Sequence, residues 1–274
     1  MIGTSDRVSL PIGIDKNGQR YREVVIDEMT GIDEENLASP KARNNASKAV
    51  TLLLRRCIQE IPGVLPRKNN PMSLCDESII RDMFVADRDF LMLCIRALSS
   101  KPEISMNIFC NSCASSQEVE VSLETLDVYE WDDSPAELSI EMPKGFHDQL
   151  DGQYKNKMVW GFPRGKDQEK VAQLPPHQAG SGVIVATLKS VENMDHMPTI
   201  EDVRRLPLRD RQVIAETITD NHVGVANEAK VSCPSCSAEN TVEVDFTGFF
   251  SLDTHKTQKR VNAGTSGRKL RKRL

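Results

Sequence analysis

Two Cys-x-x-Cys pairs, Cys110-Asn-Ser-Cys113 and Cys233-Pro-Ser-Cys236, constrain this chain more than any other feature, because roughly 119 residues separate them and yet they match. The spacing lets two thiolates on one tight turn bind the same tetrahedral zinc ion, each at about 2.3 Å. The match runs past the cysteines. Val119-Glu120-Val121 follows the first pair and Val242-Glu243-Val244 the second at the same offset, and Leu123 and Leu126 fall where Phe246 and Phe249 do. Alternating apolar and polar residues read as half-buried strands, so each pair is expected on a β-hairpin. Two such hairpins facing one another make a four-cysteine zinc ribbon, with the residues between them as an insertion. Loop-closure entropy grows only logarithmically with length, so zinc binding worth on the order of 10 kcal/mol holds the ends together. The competing reading is two unrelated redox or stray pairs.

Seven cysteines cannot all pair as disulfides, and Cys57, Cys75 and Cys94 lie apart from the two knuckles. A shell of four thiolates has no open position for water, which makes one structural zinc (Zn2+) per chain the expectation and argues against a catalytic metal. His147, His177, His196, His222 and His255 show no ligand spacing. There is no nucleophile elbow, Walker loop or dinucleotide fingerprint, and Gly180-Ser-Gly182 is too short for a phosphate site. These absences argue against an enzyme. A thiol redox enzyme would need a low-pKa cysteine at a helix N-terminus, whereas both pairs fall between expected strands.

The fold class expected is α+β: an N-terminal strand and helices, the ribbon built from two sequence-distant hairpins, and a mixed α/β insertion. Extended chain opens the protein, with Asp15-Lys-Asn-Gly18 as a turn and 21–26 as a strand. Thr30 or Asp33 caps a helix, and apolar residues at helical spacing predict helices over 46–61 and 76–99. In the insertion, 138–142 and 157–162 read as strands and 183–194 and 208–221 as helices, with Pro198 and Pro207 bracketing a short turn. The division is 1–105 strand and helical region, 106–126 first ribbon half, 127–226 insertion, 227–250 second ribbon half, and 251–274 basic flexible tail. The acidic residues Asp27-Glu28 and Asp33-Glu34-Glu35 read as a solvated helix start, or else a docking face for a basic partner. Asp87-Arg88-Asp89 with Arg96 reads as charge on the exposed side of an amphipathic helix, with a salt-linked partner surface as the alternative and, for Asp87 and Arg88, a role in setting that helix against the ribbon.

The net charge of −5 hides an uneven distribution, since 253–274 holds eight bases against Asp253 and leaves the rest of the chain at about −12. Contact with a polyanion would have to come from Arg268, Lys269, Arg271, Lys272 and Arg273. A zinc-ribbon nucleic-acid-binding protein is therefore the alternative function. Glu118, Glu120, Glu124, Glu239, Glu243 and Asp245 on the ribbon strands oppose it, and a basic arm fits an acidic protein groove equally well. No stretch is long and apolar enough to span a membrane and no secretory signal opens the chain, so a protein that stays in the cytoplasm is expected.

The order of these signals resembles the T4-type bacteriophage base plate protein family, the baseplate hub and tail-assembly proteins of contractile-tailed phages. The resemblance is carried by Val8-Ser-Leu-Pro, by Ile26-Asp-Glu-Met-Thr-Gly-Ile-Asp-Glu-Glu-Asn-Leu37 and by Leu53-Leu-Arg-Arg-Cys-Ile58. It continues in Val85-Ala-Asp-Arg-Asp-Phe-Leu-Met-Leu-Cys-Ile-Arg-Ala-Leu-Ser99 before a Cys-x-x-Cys, in the second Cys-x-x-Cys, and in Gly248-Phe249-Phe250. It implies a structural or assembly role in a phage tail baseplate, other tail and baseplate hub proteins as partners, and no small-molecule substrate. It implies the host cytoplasm during assembly and, unless the protein leaves as an assembly chaperone, the virion tail baseplate afterwards.

Overall fold

Asn17 and Gly18 both take positive φ, 54° and 76°, the turn that suits the right-handed twist of a two-strand hairpin. The turn joins β1 (Arg7–Lys16) to β2 (Gln19–Ile26), and β3 (Ile58–Glu60) pairs on the far side of β2. Between them lie α1 (Gly31–Ala38) and α2 (Ala46–Cys57), followed by α3 (Glu77–Asp82), α4 (Val85–Ser99) and the hairpin β4 (Glu103–Phe109) with β5 (Ser116–Ser122). A short strand β6 (Val128–Tyr129) leads to β7 (Glu137–His147), β8 (Tyr154–Gly161), α5 (Gly165–Val171), α6 (Ala179–Thr187) and β9 (Leu188–Val191). Next come α7 (Ile200–Arg204), α8 (Leu208–Asp220), β10 (Gly224–Val225), β11 (Glu228–Ser232) and β12 (Glu239–Glu243). This computed structural model describes residues 2, 5–40, 45–226 and 228–244.

The second series repeats the first. Order β7-β8-β9 in one antiparallel sheet mirrors β1-β2-β3 in another, and each sheet is followed by a pair of helices and a knuckle-bearing hairpin. The register of β1 on β2 shifts between Ser9 and Ile14, and that of β7 on β8 between Glu141 and Phe146. Each bulge contains Pro-x-Gly, with Gly13 at φ +95° and Gly145 at φ +88°, and a side chain at either glycine would strike the backbone of the paired strand. The mixed α/β stretch between the knuckles is thus the body of a second unit built like the first.

Three expected helix boundaries move for the same reason, competition from a neighbouring backbone edge. The helix expected over 46–61 ends at Cys57 because Ile58 to Glu60 pair with β2, and that expected over 183–194 ends at Thr187 because Leu188 to Val191 pair with β8. The helix expected over 76–99 breaks at Met83 and Phe84, which are extended: the Val85 N–H donates to Pro163 O at 2.8 Å and the Gly165 N–H to Met83 O at 3.0 Å. The turn expected between Pro198 and Pro207 contains α7, capped where the Thr199 N–H meets the Asp202 carboxylate at 2.8 Å.

Leu10, Val24, Leu54, Ile58, Leu91 and Ile95 centre a core that also takes in Ile108, Val121 and Val231 from the two cysteine-bearing hairpins. Ile140, Met158, Trp160, Leu188 and Ile214 centre a second core, joined by Ile12 and Phe84 from the first unit.

Two readings of charged residues are corrected. Asp87 and Arg88 are fully buried rather than on a solvated helix face. Asp33 is also buried, because its carboxylate accepts from the Thr30 N–H at 2.9 Å and pairs with Arg56 at 3.2 Å. In both places hydrogen-bonding partners brought in by the fold compensate burial, which amphipathic patterning does not anticipate.

Candidate metal centre

The two hairpins carry their cysteines in the turns. Cys110 and Cys113 lie between β4 and β5, Cys233 and Cys236 between β11 and β12. Both turns close alike: the Ala114 N–H donates to Cys110 O at 2.9 Å and the Ser237 N–H to Cys233 O at 2.8 Å. Ala114 at φ 55° and Ser237 at φ 58° both occupy the left-handed region, so the two turns share one backbone shape.

The four Sγ atoms all lie within 4.8 Å of one another. Two close approaches cross between the halves, Cys110 to Cys236 at 3.7 Å and Cys113 to Cys233 at 3.7 Å. A disulfide needs sulfurs at about 2.05 Å. Four sulfurs around a tetrahedral zinc at about 2.3 Å lie about 3.8 Å apart, so the observed spacing fits a tetrathiolate shell. Cys110 and Cys233 are buried while Cys113 and Cys236 face solvent.

Polar groups at matching positions bridge the two turns. Asn240 follows its knuckle at the position Gln117 holds after the other, and each reaches across to the opposite turn. The Asn111 N–H donates to Asn240 Oδ1 at 3.1 Å while Asn240 Nδ2 approaches Cys110 Sγ at 3.6 Å; Gln117 Nε2 donates to Ser235 Oγ at 2.8 Å. The N–H groups of Cys113 and Ser112 hold the Cys110 thiol down to about 6. Ser115, 2.9 Å from Cys113 Sγ, lowers that thiol as well. At Cys236 the Ala238 N–H pulls downward, but desolvation and contact with the other sulfurs outweigh it and push the thiol up to about 11. Such crowding favours a soft divalent cation that takes up the charge of all the thiolates.

The other cysteines are buried in the first core, and burial pushes the Cys57 thiol up to about 12, which makes it inert. Arg268, Lys269, Arg271, Lys272 and Arg273, with Phe246 and Phe249, lie outside the described residues. Asn240, Gln117 and Ser115 were not singled out from the sequence, although the matching offset of Asn240 and Gln117 was there to be read. The Asp-Arg dipeptides at 87–88 and 210–211, equally placed before each knuckle, were a second such signal. They set α4 and α8 against the strand bulges of their own units and not against the ribbon: Asp87 accepts from the Ile12 and Gly13 N–H groups, Asp210 from those of Lys144 and Gly145.

Fold and site together define a duplicated α+β protein whose two halves share one four-cysteine centre. The family model described as T4 bacteriophage base plate protein matches residues 9–251, and the chain belongs to that family. No curated protein and no solved structure matches it. Among the described residues no helix is long and apolar enough to cross a membrane.

Proposed function

We propose that the protein is a non-enzymatic structural or assembly component of a contractile phage tail baseplate hub, stapled by one structural zinc on Cys110, Cys113, Cys233 and Cys236. The observation that carries this reading is the pairing of sulfurs across the two halves at 3.7 Å, inside the stretch that matches the base plate family. A metal bound there would cross-link residues from opposite ends of the chain and fix one half against the other, a use of zinc that requires no open coordination site. Arg268, Lys269, Arg271, Lys272 and Arg273 would add a cationic arm for an acidic neighbour in the baseplate.

Interrupting the gene in the phage that encodes it, with complementation by the wild-type or the Cys110→Ser chain, tests the reading. Tails without complete baseplates, rescued by the wild-type chain and not by Cys110→Ser, are expected. Normal infectious particles in its absence would overturn it.

A further inference from the structure

Inside the chain, the front of the second unit docks on the back of the first. Arg81 pairs with Glu169 at 2.9 Å, and Thr51 Oγ1 donates to the same carboxylate at 2.8 Å. Gly165, at the start of α5, lies over the Arg88 guanidinium, where a Cβ would come within 2.4 Å of Nη1. Arg88 is thereby fully buried, donating to Ile80 O, Ser47 O and Thr51 Oγ1 at 2.9 to 3.0 Å.

The duplication gives each partner a counterpart that lacks this contact. On the second unit, Arg211 donates to Ser181 Oγ and Val203 O as Arg88 does to Thr51 and Ile80, yet Arg211 is only half-buried. Leu208 beside it is 85% exposed and Val183 37%. On the first unit, Gly31 opens α1 as Gly165 opens α5, but a Cβ there would meet nothing within 4 Å and its φ is not in the left-handed region. Among the described residues nothing explains a glycine at that place. Glu35 follows Gly31 as Glu169 follows Gly165 and is exposed, and Ile32 is 52% exposed. The charges are complementary: α1 is acidic, while the opposite face carries Arg204, Arg205 and Arg211, of which Arg204 and Arg205 both pair with Glu201, at 3.0 and 3.7 Å, in a helix that also carries Asp202.

We infer that a second copy of this chain docks α1 on the face formed by α6, α7 and the start of α8, repeating between molecules the contact that α5 makes within one. Gly31 then covers Arg211, Glu35 pairs with Arg204, and Ile32 covers Leu208. The contact is head to tail, so it propagates into a ring or a filament.

Sedimentation velocity on the full-length chain, with added zinc, tests this. The wild-type mass is expected to rise with concentration. Gly31→Phe, Glu35→Arg and Arg204→Glu should each remain monomeric, and an equal mixture of the last two should associate again, because every contact in it regains opposite charges. The inference is overturned by a wild-type chain that stays monomeric at the highest concentration it tolerates, by association that all three variants retain, or by a mixture that remains monomeric.

Discussion

Asp87 and Asp210 hold the same post in the two units. The Asp87 carboxylate accepts the Ile12 and Gly13 N–H groups at 2.8 and 3.0 Å; the Asp210 carboxylate accepts those of Lys144 and Gly145 at 3.0 and 2.8 Å. Each Asp lies in the first turn of its helix, where an anion also meets the positive end of the helix dipole, and each locks that helix to a strand bulge. Asp210→Ala strands the buried Gly145 N–H and releases the part-buried Lys144 N–H, and is expected to cost on the order of 2 kcal/mol. Denaturant unfolding with zinc present checks this.

Asp87 also gives a pH signature. Burial pushes its carboxyl up to about 7, even though the Ile12 and Gly13 N–H groups pull it down. An unfolded aspartate titrates near about 3.9, so between these values the folded chain holds a proton that the unfolded chain has lost. The contribution of Asp87 to stability is therefore full below about pH 4 and declines as pH rises toward 7. The difference in unfolding free energy between wild type and Asp87→Asn should fall across that window, and a flat difference would contradict the assignment.

Ala114 and Ser237 adopt left-handed backbone without being glycine. Relieving that strain through Ala114→Gly should stabilise the folded, metal-loaded protein by roughly 1 kcal/mol, less the entropy glycine adds to the unfolded chain. Thermal unfolding of Ala114→Gly and Ser237→Gly should show small increases in midpoint with unchanged metal content.

Gly165→Ala and Gly31→Ala separate a packed glycine from an open one. The first places a methyl within 2.4 Å of the buried Arg88 head group and is expected to destabilise by about 1–3 kcal/mol; the second meets open space and should leave the monomer's unfolding free energy, from denaturant titration, within about 0.5 kcal/mol of wild type.

The four-cysteine cluster was the most legible part of the chain, because ligand chemistry fixes both residue type and spacing. The knuckles with their matching flanks announced two related hairpins. The duplication of the bodies was harder to see, because apolar positions accept many side chains. What survives between the copies is a handful of residues whose chemistry cannot be exchanged: Pro-x-Gly at 11–13 and 143–145, Asp-Arg at 87–88 and 210–211, and Gly31 with Gly165. The misplaced helix ends have a different cause. Residues 58–60 and 188–191 continue a helical apolar pattern, and only the free edge of a strand formed elsewhere turns them into strands. Burial of Asp87 and Arg88 depended on partners far away in sequence, which local charge patterning does not reveal.

The central claim is that one zinc joins the two halves through Cys110, Cys113, Cys233 and Cys236, and metal analysis of the purified full-length chain tests it most directly. Plasma mass spectrometry on wild type, Cys110→Ser and Cys233→Ser, with protease resistance followed before and after chelation, should give one zinc per wild-type chain. Either substitution should lose the metal, and chelation should open the chain to cleavage. A wild-type protein without metal, or one that keeps its zinc when Cys233 is replaced, would contradict a centre shared between the halves.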